Sequence, residues 1–199
     1  MGFFGKKHLA GDQGEKAPAS FIGVQREDYE YLRRRFFESY DRSLIEYLAS
    51  SRSIEAHDRI HPIGEGRHFR ALVLMPDNST KIPLVISLPK SSFLGNDPAK
   101  TSARWCDAMK DLRRLRVPMI PPFDLLENAN VLRCFVSPFG SGGSDQAKAR
   151  WQPIKNHVNL TERALADHGF RIDDRIQVRC FEGIPFICDL SDLIRIKKD

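Results

Sequence analysis

Between residues 67 and 136 two pairs of strand-like segments enclose a single helix, and this order restricts the fold more than any other feature of the chain. Residues 67–75 carry Phe69, Ala71, Leu72, Val73, Leu74 and Met75. Pro76, Asp77, Asn78 and Ser79 then break the run, and residues 82–88 return with Ile82, Leu84, Val85, Ile86 and Leu88, so a β-hairpin is expected. Pro83 lies near the start of the return strand, where a missing amide hydrogen is tolerated. Asp97-Pro98 opens a helix, because an aspartate oxygen accepts from first-turn amides and proline fits the first turn. It runs to about Leu115. The prolines at 118, 121 and 122 cannot continue it, and residues 123–127 and 131–136 form a second hairpin turning at Asn128-Ala129-Asn130. The class expected is α+β: an antiparallel sheet with one main helix.

The flanks are helical before and mixed after. Leu32, Phe36, Tyr40, Leu44 and Leu48 recur every four residues, which predicts one long amphipathic helix over residues 27–50. Its Arg33-Arg34-Arg35 run reads as a solvated face, since acids outnumber arginines along the segment. Residues 1–20 read as a flexible arm, and 21–199 as a single domain divided into a part at 58–140 and a smaller one at 141–199. The boundary is the Gly/Ser stretch Gly140-Ser141-Gly142-Gly143-Ser144. Beyond it, a helical stretch is clearest over 160–168, and a last hairpin joins 176–181 to 185–188 around Glu182-Gly183.

The chain's 199 residues carry 31 Lys and Arg against 26 Asp and Glu, a formal charge of +5. The cations concentrate between Lys100 and Arg116, where six face only Asp107 and Asp111. This helix is the best basic patch, yet only Trp105 supplies an aromatic, so nucleic acid is not the expected partner. Cys106, Cys134, Cys180 and Cys188 form no C-x-x-C pair and the six histidines are isolated, a pattern of reduced core thiols rather than a zinc site. No apolar run is long enough for a transmembrane segment or a secretory signal, and a cytoplasmic location is expected.

One constellation carries chemistry. Phosphates need close backbone approach, which Gly64-Glu65-Gly66 allows, and a cation from the adjoining sheet, which Lys90 can supply. A carboxylate at the end of a buried strand, Asp189, can hold a divalent cation on the other side. Over residues 60–192 the order of these elements resembles the protein-kinase-like family in its broad sense, including small bacterial sugar and lipopolysaccharide kinases and aminoglycoside phosphotransferases. Ile63-Gly64-Glu65-Gly66-Arg67-His68-Phe69 resembles the glycine-rich loop, with Phe69 at the third glycine. The stretch from Val85 to Lys90 resembles the strand bearing the phosphate-binding lysine. The helix from Asp97 stands where the family's regulatory helix would, with Asp107 or Asp111 in place of its glutamate. Residues 135–140 resemble the last strand of the smaller lobe running into the adenine hinge, which implies Ser137 and Phe139 as nucleotide contacts. Ile187-Cys188-Asp189-Leu190-Ser191 resembles the metal-binding Asp-Phe-Gly element, with Ser191 at its glycine.

The resemblance implies a kinase-like N-lobe, preceded by the long helix and followed by a minimal, truncated second lobe. It also implies ATP and Mg²⁺ as ligands and Asp189 as the metal residue. Its catalytic positions are altered. His168-Gly169-Phe170 falls where the family has His-Arg-Asp or His-Gly-Asp, so Phe170 replaces the catalytic aspartate, and Arg175 replaces the metal-binding asparagine. Asp173 and Asp174 lie nearby at a different spacing. Order kept while catalytic residues are lost favours a pseudokinase-like binding or regulatory module with a protein partner and a residual nucleotide cleft. Two other readings stay open: an atypical small ATP-dependent kinase acting on a protein, sugar or lipid hydroxyl through Lys90, Asp189 and Asp173 or Asp174, and a basic scaffold or nucleic-acid-binding domain.

Overall fold

A computed structural model describes residues 26–51, 54, 57–115, 117, 119–140, 151–173 and 176–196, with the backbone alone for 151–157. The arm at 1–20, residues 141–144 of the Gly/Ser stretch, Asp174 and Arg175 lie outside the described residues.

Five antiparallel strands form the main sheet: β1 (Ile60–Glu65), β2 (Phe69–Leu74), β3 (Leu84–Pro89), β4 (Asp124–Asn128) and β5 (Val131–Pro138), in the order β1-β2-β3-β5-β4. The α+β expectation holds at this level. Helix α4 (Pro98–Leu115) joins β3 to β4, after the single turn α3 (Ser91–Leu94). Its start follows the sequence rule, with the Asp97 carboxylate accepting from Lys100 N at 3.0 Å. The β4–β5 turn forms at the expected place because Ala129 and Asn130 both take positive φ, 48° and 62°.

The sheet is covered on both faces. Helices α1 (Arg26–Ser39) and α2 (Arg42–Ser50) contribute Leu32, Phe36, Ile45 and Leu48 to one buried cluster, against Leu72, Leu84, Ile86, Cys134 and Val136. Helix α4 contributes Trp105, Cys106, Met109 and Leu112 to the other, against Phe69, Leu125, Leu132 and Phe135. Leu132 and Cys134 would share a face in a regular strand. They part because the pairing jumps from Leu126↔Cys134 to Glu127↔Leu132, leaving Arg133 as a bulged, exposed residue.

The single helix expected over 27–50 is instead two. Asp41 has extended backbone and its side chain accepts from Leu44 N at 3.1 Å, so it caps a new helix rather than continuing the old one. The hydroxyl of Tyr40 donates to Asp124 at 2.7 Å and fixes the break against β4.

After the main sheet, α5 (Trp151–Asp167) leads to β6 (Phe170–Ile172), β7 (Val178–Phe181), β8 (Ile184–Ile187) and β9 (Leu193–Arg195). β6 pairs with β9, and β7 with β8. The β7–β8 hairpin turns at Glu182 and Gly183, both at positive φ, where it was expected. These strands share the core of α4: Leu165, Phe170, Ile187, Leu190 and Leu193 are buried in the cluster that contains Trp105 and Met109. Further ties are Ile187 N to Met119 O at 2.8 Å, and Tyr29, whose hydroxyl donates to Pro185 O at 2.9 Å. Among the described residues no helix is long and apolar enough to cross a membrane.

Candidate functional site

The glycine segment is not a free loop. Gly64 and Glu65 belong to β1, paired with Ala71 and Arg70, and the chain turns through Arg67 and His68, closed by Gly66 N to Phe69 O at 2.8 Å. Neither glycine has positive φ, and a Cβ on Gly64 would meet nothing within 4 Å. The backbone there borders open space. Lys90, just past β3, reaches this hairpin: its Nζ lies 3.0 Å from Glu65 Oε2. The ammonium holds the Glu65 carboxyl below the usual carboxylate range. Lys90 and the Gly64–Gly66 segment are thus brought together, through Glu65 rather than through Asp107 or Asp111. Asp111 instead pairs with Arg114 and Arg195.

Asp189 belongs to a different recess, bounded by Phe69, Ser87, Trp105, Phe135, Cys188, Leu190 and Ser191, and Lys90 does not line it. From β3 it is Ser87, three positions before the lysine, that borders this recess. The empty space of the recess, open mouth included, is about 230 Å³. Aromatic side chains form much of its wall. The Trp105 ring lies 5.5 Å from that of Phe69 and 5.8 Å from those of Phe93 and Phe135, and its indole N–H donates to Leu190 O at 3.2 Å. An indole with its one donor satisfied is a stable core element, and it ties α4 to the residue after Asp189.

The Asp189 carboxylate accepts from Ser191 N at 2.9 Å, a local turn that leaves lone pairs available. The other polar side chains of the recess are the hydroxyls of Ser87 and Ser191 and the Cys188 thiol, which burial pushes up to about 11. Asp192, the next carboxylate, pairs with His68 Nε2 at 3.1 Å and accepts from the Ser191 hydroxyl at 3.2 Å. A magnesium ion favours several hard oxygen ligands. Among the described residues no group of three or more His, Cys, Asp or Glu side chains is placed to hold a metal. Asp189 and the serines would supply one carboxylate and two neutral hydroxyls.

The remaining sequence candidates lie elsewhere. Ser137 is buried in β5 opposite Val85, and Phe139 N donates to Pro83 O at 2.9 Å, so this stretch ends the sheet. Gly140 packs tightly: a Cβ there would stand 2.5 Å from Arg179 Cβ and 2.8 Å from the Phe186 ring. Phe170 is buried in the α4 core beneath the Arg195 guanidinium. Asp173 is exposed and pairs with Arg171 at 2.7 Å, while its N–H donates to Asp192 O. His168 caps the end of α5 before Gly169, whose φ is 78°.

Three cations of the basic α4 segment are paired within the fold. Lys110 pairs with Glu127 at 3.1 Å, Arg113 with Asp124 at 3.3 Å, and Arg114 with Asp111 at 3.6 Å. The acids come from β4 and from the helix itself. Two contacts were beyond sequence reasoning: Trp105 to Leu190, 85 residues apart, and His68 to Asp192. No local pattern signals either pairing.

Compared with known proteins, the chain matches no family model and no curated protein sequence.

Proposed function

We propose that this chain is a kinase-like module that acts by binding a protein partner and does not transfer phosphate. The observation that carries this reading is the filling of the space between the sheet and Asp189. Trp105, Phe69 and Phe135 line it, Phe93 packs on Phe69 and Trp105, and Leu190 is bonded to the indole. Phosphoryl transfer depends on a lysine, a metal and a carboxylate converging on one phosphate chain. Here Lys90 is engaged with Glu65 at the outer hairpin, Ser87 and not Lys90 borders the recess with Asp189, and Phe170 stands where the resemblance calls for the catalytic aspartate. The sheet order, with its one long helix between β3 and β4, supports the kinase-like part of the proposal.

The test is a phosphoryl-transfer assay with γ-labelled ATP and Mg²⁺, alone and with protein, sugar and lipid acceptors, comparing the natural chain with Asp189→Asn. The expected result is no transfer above that variant. Turnover that Asp189→Asn abolishes would overturn the proposal and establish the atypical kinase instead.

A further inference from the structure

The two most exposed large apolar side chains among the described residues are Tyr47, 67 % exposed, and Phe37, 51 % exposed, and both lie on the outer side of the α1–α2 pair. On α1 the exposed residues are Arg26, Glu27, Glu30, Arg33, Arg34, Phe37 and Glu38, while Leu32, Phe36 and Ser39 face the core. Glu27, Glu30, Arg34 and Phe37 follow one another at spacings of three and four, so they form one outward stripe. Its signs are segregated, with acids in the first half and Arg34 in the second.

That arrangement is self-complementary. If a second α1 runs antiparallel across the first, with the twofold axis level with Leu32, Glu30 stands level with the partner's Arg34 and Arg26 with the partner's Glu38. Twofold symmetry repeats both contacts, giving four opposite-charge pairs, with Phe37 at each end against the stem of the partner's Glu27. These charges are available for it. Arg26, Glu30 and Arg34 form no ion pair with any described residue, and Glu38 has only a 3.8 Å contact with Arg35. The guanidiniums of Arg33 and Arg34 lie over Phe37 and Tyr31, 5.8 and 5.7 Å from the ring centroids, which holds them near the stripe.

We infer that the outer face of α1 is an interface between two copies of this chain, packed antiparallel about a twofold axis. It stands independently of the proposed function. A 14-residue helix is ~21 Å long, and its one face offers less than the ~800 Å² per partner of a standard stable interface. The dimer is therefore weak and reversible, and salt loosens it because its pairs are solvent-exposed.

Sedimentation velocity of the full chain over about 5–500 µM, at low and high salt, tests this. The natural chain should show a dimer that grows with concentration and shrinks with salt. E30R alone turns both central contacts into Arg–Arg, and R34E alone turns both into Glu–Glu, so each should weaken dimerisation about tenfold or more. Mixing the two variants pairs Arg with Glu at both contacts again and should restore the dimer as a heterodimer. That recovery distinguishes an interface from damage to the helix, and unchanged melting temperatures of the single variants check their folding. A natural chain that stays monomeric throughout, single variants that dimerise undiminished, or a mixture that fails to recover would each overturn the inference.

Discussion

Trp105→Ala tests whether the aromatic cluster above Asp189 holds the molecule together. The side chain is 6 % exposed, touches the Phe69, Phe93 and Phe135 rings at 5.5–5.8 Å, and donates to Leu190 O at 3.2 Å. Truncating a buried tryptophan costs about 3–5 kcal/mol, the lost transfer energy plus the cavity left behind. The stranded Leu190 carbonyl adds to this, so ~4–5 kcal/mol is expected. A chain of this size loses ~2–4 °C of melting temperature per kcal/mol, so Trp105→Ala should melt about 10–15 °C lower. Trp105→Phe keeps an aromatic ring and removes the donor. It should cost about 1–2 kcal/mol, the scale of one hydrogen bond with its acceptor left buried. Urea unfolding followed by far-ultraviolet circular dichroism measures both. A Trp105→Ala variant within about 1 kcal/mol of the natural chain would refute the reasoning, since the surroundings would then have no need of the indole.

Three more outcomes follow from particular contacts. Gly140→Ala should destabilise by about 2–3 kcal/mol, because its Cβ would fall within 3 Å of Arg179 Cβ and the Phe186 ring, and overpacking a fixed backbone costs that much; thermal melting reads it. For the Lys110–Glu127 pair, burial raises the Glu127 carboxyl, but hydrogen bonds from Cys106 and Lys110 outweigh it and hold the group below its ordinary value. A lowered folded value means stability present above the unfolded value of ~4.3 and lost as pH falls through the folded one. The melting-temperature gap between the natural chain and Lys110→Met should therefore be open at pH 6 and close by about pH 3. Finally, burial raises Cys188 to about 11, which leaves ~0.1 % thiolate at pH 8. Mass spectrometry after iodoacetamide treatment should show Cys188 modified about a hundredfold more slowly than free cysteine in the native chain, and readily in urea.

Both large hairpins and α4 were legible because each advertises itself locally. Phe69 to Leu74 and Leu84 to Leu88 are dense in strand formers and separated by turn residues, and Asp97 is followed by a helical period. The break in the first helix was hidden because Leu32, Phe36, Tyr40, Leu44 and Leu48 keep their spacing straight across it. The available signal was Asp41, a good cap placed three residues before Leu44. β1 escaped notice for a different reason. It is an edge strand, exposed at every position after Ile60, and contains Pro62, a bulge at Ile63, and Gly64, so neither alternation nor propensity marks it. β6 and β9 have three residues each and pair across some twenty positions, a contact that no local window contains.

The candidate site was legible as an order of residues but not as a geometry. The sequence placed Gly64, Gly66, Lys90 and Asp189 in a row of elements, and the fold divides them between two places. Lys90 stands one residue past the end of β3, so it meets Glu65 on the outer hairpin, while Ser87 borders the recess that includes Asp189. In a strand the face alternates with every residue, and three positions are enough to move a cation from one environment to another. Trp105, Met109 and Leu112 stand at helical spacing, which marks one buried face. That the core Trp105 fills is the space over Asp189 depends on where β8 returns, which only the tertiary structure shows.

If the proposed function holds, this space takes no nucleotide, and equilibrium melting of the natural chain with millimolar ATP, with and without Mg²⁺, tests that most directly. A site filled at about a hundred times its dissociation constant would add ~2.7 kcal/mol and raise the melting temperature by roughly 5–10 °C. The account predicts no shift in either condition. A Mg²⁺-dependent rise that disappears in Lys90→Ala or Asp189→Ala would contradict it.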